Sequence, residues 1–210
     1  MNNRTRSTNL RRRSALLAIA CLSWLSSLLP EATGSYAAAA TPASQEALLV
    51  EAIRRGGVTV LIRHSETDPG AGDPPGFRLS DCATQRNLND AGRAQARRLG
   101  RWFEVNGIRP TVVRASPWCR TRETAMLAFG RSEDWNALSN LLSDSSRQPD
   151  QTQEVRAGIL AGSSDRIEVL ISHGVSISAF VDVYLQQGEM VVVRRAGVDS
   201  IEVVGRLRIP

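Results

Sequence analysis

Two stretches constrain the fold more than any others: "VTVLIRH" (58–64) and "IEVLISH" (167–173). Each is a nearly continuous run of apolar and β-branched residues ending at a histidine. Such a run reads as a strand buried on both faces, so its sheet must be covered by layers on either side. The chain has only two histidines, and both occupy these strand ends.

Helical patterns alternate with the strands. A lead-in helix spans 41–57 and closes at Gly56-Gly57. In "LNDAGRAQARRLGRWFEVNG", Asn89 is the expected N-cap, Ala96, Leu99, Trp102 and Phe103 mark a buried face, and Asn106-Gly107 ends the helix. "TVVRAS" (111–116) is the next strand, and "TRETAMLAFG" is a helix ending at Gly130. "TQEVRAGILAG" is a further helix, and "GVSISAFVDVYL" leads into another. "EMVVVRRA" and "SIEVVGRLRI" close the chain as an antiparallel pair. The Gly- and Pro-rich "TDPGAGDPPGFRLSDC" is a loop, and 131–152 reads as polar and irregular. The alternation predicts an α/β three-layer sandwich, with a mostly parallel central sheet and helices on both faces.

Charge divides the chain. All 26 basic residues are arginine, against 21 acidic residues. Five of those arginines lie in the first thirteen positions, and residues 41–210 hold 21 basic and 20 acidic residues. A near-neutral globular part argues against a nucleic-acid partner. Residues 1–40 run from arginine-rich, through the apolar "SALLAIACLSWLSSLL", to the small-residue "GSYAAAATPAS". This order is that of a cleaved signal peptide followed by a spacer. The expectation is an exported protein, periplasmic or extracellular, with no membrane span after cleavage and one domain over 41–210. Cys21 leaves with the signal, and Cys82 and Cys119 remain. They form either a disulfide, which an oxidising compartment permits, or two separate buried thiols.

Functional residues of open α/β sheets collect beyond the carboxyl ends of the parallel strands. Here those ends supply Arg63 and His64, then Ser116 with Arg120 and Arg122 just after it, then His173 and Gly174. A neutral imidazole can attack phosphorus, and arginines can grip and neutralise the transferred phosphoryl group. This chemistry calls for no cofactor and no metal. The chain lacks lysine, which removes P-loop, Schiff-base and kinase motifs, and it lacks a G-x-S-x-G elbow. Metal-ligand spacing such as H-x-x-x-H is also missing.

In these residues the chain resembles the histidine phosphatase superfamily, the phosphoglycerate-mutase-like group. "LIRHSET" resembles its R-H-G motif, with Ser65 in place of the glycine. "LNDAGRAQARRLG", "ASPWCRTRETA" and "VLISHGVSI" resemble three further motifs in the same order, and the likeness spans about 58–204. The resemblance implies that His64 is the nucleophile. It further implies that Arg63, Arg120 and His173 surround the phosphoryl group, and that Thr67 and Gly174 contact substrate. The mutases' asparagine is replaced by Gly70, which speaks against mutase activity. No general-acid glutamate motif is evident. Asp144 is the first candidate for that acid, followed by Glu133 and Asp134. The implied activity is hydrolysis of a small phosphorylated substrate. Exported relatives associated with lipopolysaccharide phosphates, or phosphohistidine itself, mark alternative substrates. A non-catalytic phosphate-binding module and a metal-dependent hydrolase are the rival readings.

Overall fold

The structure, a computed structural model, describes residues 41–209. The expected signal segment and Cys21 lie outside them. Helix α1 (Pro42–Arg54) precedes strand β1 (Val58–Arg63), α2 (Asp90–Val105), β2 (Val112–Ala115) and α3 (Cys119–Phe129). Then come β3 (Glu133–Asp134), α4 (Gln148–Leu160), β4 (Ile167–Ser172), α5 (Gly174–Val181), β5 (Glu189–Arg195) and β6 (Ile201–Arg208). The six strands form one sheet in the order β3-β2-β4-β1-β5-β6. The first four run parallel, and β5 and β6 add an antiparallel edge. This is the expected mostly parallel architecture.

Alternation along the strands sorts the core into two layers. Val60 and Ile62 of β1, Val169 and Ile171 of β4, and Val192 of β5 pack on one face with Leu99, Trp102 and Phe103 of α2. Leu61, Leu170 and Val191 point to the other face, against Val155 and Ile159 of α4 and Ile177 and Phe180 of α5. The near-continuous apolar runs of β1 and β4 are thus covered on both sides, as the sequence required.

The N-terminus of α2 also forms as expected. The Asn89 side chain accepts from the Gly92 N–H at 2.7 Å. Gly92 is needed for a different reason. A Cβ there would lie 1.9 Å from the Glu66 carbonyl oxygen, so only glycine lets α2 approach the segment that follows β1.

The stretch 131–152, expected to be irregular, contains structure. Strand β3 pairs in parallel with β2 at the sheet edge, and α4 starts at Gln148 rather than near 152. Pro149 lies in its first turn, where a missing N–H costs nothing because the helix has no acceptor for it there.

Cys82 and Cys119 are joined in a disulfide with Cα atoms 5.7 Å apart. The bridge ties the long loop after β1 to the first residue of α3, across a sequence separation of 37 residues. Closing a loop of that length removes entropy from the unfolded chain worth about 3–4 kcal/mol. A Cys82→Ser/Cys119→Ser variant is expected to lose about that much stability in urea denaturation, with wild type under reducing conditions behaving alike.

Candidate active site

Strands β1, β4 and β2 are neighbours, so the residues just beyond their carboxyl ends converge. Arg63, His64, Arg120, His173 and Gly174 all line one cavity of about 210 Å³, together with Arg86, Asn140, Leu142, Val175 and Tyr184. A larger groove of about 730 Å³, lined by Arg97, Arg101, Arg109 and Arg131 among others, holds neither histidine. Volume therefore does not select the site; the convergence of reactive groups does.

The two histidines are buried, with ring centroids 5.5 Å apart. Hydrogen bonding assigns their tautomers. His64 Nδ1 lies 2.8 Å from the Ser65 carbonyl oxygen. A carbonyl only accepts, so Nδ1 carries the proton and Nε2 keeps the lone pair. An arginine only donates. The contact from Arg120 Nη2 to His173 Nδ1 at 3.4 Å therefore leaves the His173 proton on Nε2, which donates to Ser116 Oγ at 2.8 Å. Burial, reinforced by the Arg120 guanidinium, holds His64 well below the usual histidine range. Burial and then Arg120, His64, Arg63 and Arg86 do the same to His173. Both imidazoles are neutral in the free site.

Three arginines surround them. Arg63 Nη1 donates to the Leu185 carbonyl at 2.9 Å and to the Tyr184 hydroxyl at 3.0 Å. Gly174 allows this placement, because a Cβ there would lie 3.1 Å from Arg63 Nη1. Arg86 Nη1 donates to Thr67 Oγ1 at 2.9 Å and the Gly70 carbonyl at 2.8 Å. Arg120 is 1% exposed and forms a two-pronged ion pair with Asp73, at 2.6 and 3.2 Å. The Nε–H of each of the three arginines is buried without an acceptor in the protein. Buried donors are rarely left so, and three on one cavity call for an anion with several acceptor oxygens.

Several expected residues stand elsewhere. Thr67 is buried but does not line the cavity: its hydroxyl accepts from Arg86 Nη1 and from Gln187 Nε2 at 3.0 Å. Its hydroxyl thereby tethers the Arg86 guanidinium. Asp144 lies on an exposed turn, where its Oδ1 accepts from the Ser146 N–H and hydroxyl. It caps that turn and is not among the residues lining the cavity. Asp134 pairs with Arg122 and Glu133 with Arg114, both at the outer sheet edge. Arg86 and Asp73, which sequence reasoning did not assign to the site, arrive on the disulfide-tethered loop. Among the described residues no group of three or more His, Cys, Asp or Glu side chains is arranged to hold a metal ion.

The neutral histidines fix a pH dependence of stability. Each imidazole titrates near 6.5 when unfolded and well below that when folded. Their contribution is complete above that pH. Below it the unfolded chain takes up protons that the folded chain refuses, so stability falls with pH. Between about pH 7.5 and 5.5 stability is expected to fall as the pH is lowered. Urea denaturation in phosphate-free buffer should show a steeper pH dependence for wild type than for a His64→Asn/His173→Asn variant.

Comparisons with known proteins agree with this fold. Residues 59–141 match the sequence model of the "Histidine phosphatase superfamily (branch 1)". No curated protein matches the chain. Among solved structures, the product of open reading frame Rv3214 from Mycobacterium tuberculosis is 19% identical, with a TM-score of 0.54, over 71% of this chain and 97% of that one. The protein histidine phosphatase SixA complexed with tungstate is 13% identical, with a TM-score of 0.52, over 72% and 96%. The mycobacterial glucosyl-3-phosphoglycerate phosphatase Rv2419c, solved with inorganic phosphate, is 16% identical, with a TM-score of 0.52, over 70% and 94%. At these identities the structural likeness speaks for the fold. The matched segment and the order of its motifs make the chain similar to the histidine phosphatase superfamily over residues 59–141.

Proposed function

We propose that this chain is a metal-independent phosphatase that works through a phosphohistidine on His64. The observation that carries the reading is the set of three buried, acceptor-less Nε–H groups of Arg63, Arg86 and Arg120 around a cavity that holds a neutral imidazole. A phosphoryl group supplies the oxygens those donors lack.

The lone pair on His64 Nε2 attacks phosphorus, an N–P bond forms, and the P–O or P–N bond to the leaving group breaks. The Ser65 carbonyl keeps Nδ1–H oriented and stabilises the charge that develops on the ring. The arginines hold the phosphoryl oxygens in place and offset their charge. Water then attacks phosphorus, the N–P bond breaks, and inorganic phosphate leaves with His64 restored.

No carboxylate lines the cavity. This favours leaving groups that depart without a proton, such as those of phosphohistidine, acyl phosphates or aryl phosphates, over alkyl phosphomonoesters. The same feature keeps a second reading in play, a phosphate-binding module without turnover. Export belongs to the proposal as well. The Cys82–Cys119 bridge supports an oxidising compartment.

The test is turnover of an aryl phosphate in the presence of a chelator. Wild type is expected to retain its full rate. His64→Ala is expected to lose roughly 10³-fold or more, with no acid-quenched phosphoenzyme. Equal rates for the two proteins would overturn the nucleophile, loss of activity with chelator would point to a metal, and phosphate binding without turnover would favour the binding module.

A further inference from the structure

Asp73 is the unexpected member of the site. It comes from a Gly- and Pro-rich loop without regular structure, yet its side chain is fully buried. Oδ1 accepts from Arg120 Nη1 at 2.6 Å and from the Arg86 N–H at 3.0 Å. Oδ2 accepts from Arg120 Nη2 at 3.2 Å and from the Trp118 indole N–H at 2.9 Å. Burial pushes this carboxyl up, but the hydrogen bonds and charge of Arg120, with the N–H groups of Arg86 and Trp118, outweigh it and hold it below the usual range. The group is ionised and saturated, so it is no proton donor.

The pairing also has a direction. Asp73 grips the end of the Arg120 guanidinium through both Nη atoms. What remains is the side edge, with the Nε–H lacking any acceptor and Nη2 facing His173. A guanidinium has two edges that can each engage an oxyanion. Asp73 occupies one and thereby leaves the other for the phosphoryl group. The charges add up in the same sense. Arg63, Arg86 and Arg120 contribute three positive charges, both histidines are neutral, and Asp73 removes one.

We infer that Asp73 is a positioning residue for Arg120, which sets the edge this arginine presents and lowers the net charge of the free pocket to match a phosphate dianion. The inference rests on the phosphatase reading of the same cavity. The segment that delivers it is the loop stapled to α3 by the disulfide, so this loop is part of the catalytic apparatus rather than a surface connection.

The test compares Asp73→Asn and Asp73→Glu with wild type and His64→Ala, each with its melting temperature. It reads aryl phosphate turnover, and inorganic phosphate binding by calorimetry. Asp73→Asn removes the charge but keeps the shape. It is expected to lower kcat roughly 10- to 100-fold through misplacement of Arg120, while phosphate binds at least as tightly because a repelling charge is gone. Asp73→Glu keeps the charge and is expected to retain more kcat than Asn. It decides the matter alone if Asn fails to fold: a fall in kcat with phosphate affinity kept is then expected. Turnover within about twofold of wild type in a folded Asp73→Asn, or faster turnover, would overturn the inference, as would a weakening of phosphate binding that accounts for the whole loss. If wild type turns nothing over, the phosphatase reading fails. The calorimetric arm then judges Asp73 separately, since weaker phosphate binding by Asp73→Asn would overturn its charge-setting role.

Discussion

Three guanidinium groups share one small cavity, and the rest of the site follows from the need to hold them there. Like charges at such range repel, and each would gain by swinging into water. Each is instead tethered by a different set of acceptors. Arg63 is held by the Tyr184 hydroxyl and the Leu185 carbonyl, Arg86 by Thr67 and the Gly70 carbonyl, and Arg120 by Asp73 and the Arg86 carbonyl. Only Arg120 has a carboxylate. Burial first, and then the field of these arginines, keep both imidazoles neutral, which is the form in which His64 can act as a nucleophile.

The fold supplies the rigid half of this arrangement and the loop after β1 supplies the adjustable half. Arg63, His64 and His173 sit at the ends of strands buried on both faces, where backbone movement would disturb two packed layers. Arg86 and Asp73 have no such support. Their loop is fixed instead by a covalent bridge, by the Cys119 N–H donating to Gln85 Oε1 at 3.0 Å, and by the ion pair itself. All three anchors meet at the N-terminal end of α3. Arg120 is therefore positioned from both directions, by its own helix and by the loop that packs on it.

This division explains what the sequence disclosed. A strand that must be buried on both faces leaves a period-free apolar run that is hard to mistake, so β1, β4 and their terminal histidines were legible. The buried face of α2 was legible from its spacing and the cap from Asn89. Asp73 and Arg86 were not, because a loop's path is set by tertiary contacts and carries no periodicity. The signals that existed were indirect: Cys82 between Asp73 and Arg86 with its partner Cys119 beside Arg120, and an aspartate within a loop otherwise rich in glycine and proline. Asp144, the first candidate for the acid, does not line the cavity. It lies in a segment that reads as irregular, and its role as the cap of a single turn is as local as a role can be. Ser65 had raised the question of how a side chain fits where the family has glycine. The residue is fully buried and its N–H donates to Thr124 Oγ1 at 3.1 Å, while its hydroxyl finds no partner. The side chain is accommodated in space, at the cost of an unsatisfied group.

The missing acid can be understood from the same electrostatics. A carboxyl group placed beside three guanidiniums ionises, because their field favours the anion more strongly than burial opposes it. At Asp73 burial is the largest single influence and pushes the carboxyl up, yet the hydrogen bonds and charge of Arg120, with the N–H groups of Arg86 and Trp118, together hold it below its usual range. An acid that had to stay protonated near neutral pH would need to stand away from the arginines, where it could no longer reach the bridging atom of a substrate held by them. A pocket of about 210 Å³ offers little such distance. On the proposed phosphatase reading, the cavity trades a carboxylic acid for a concentrated positive field. That trade is sound for leaving groups stable as anions or already carrying a proton, and poor for alkoxides.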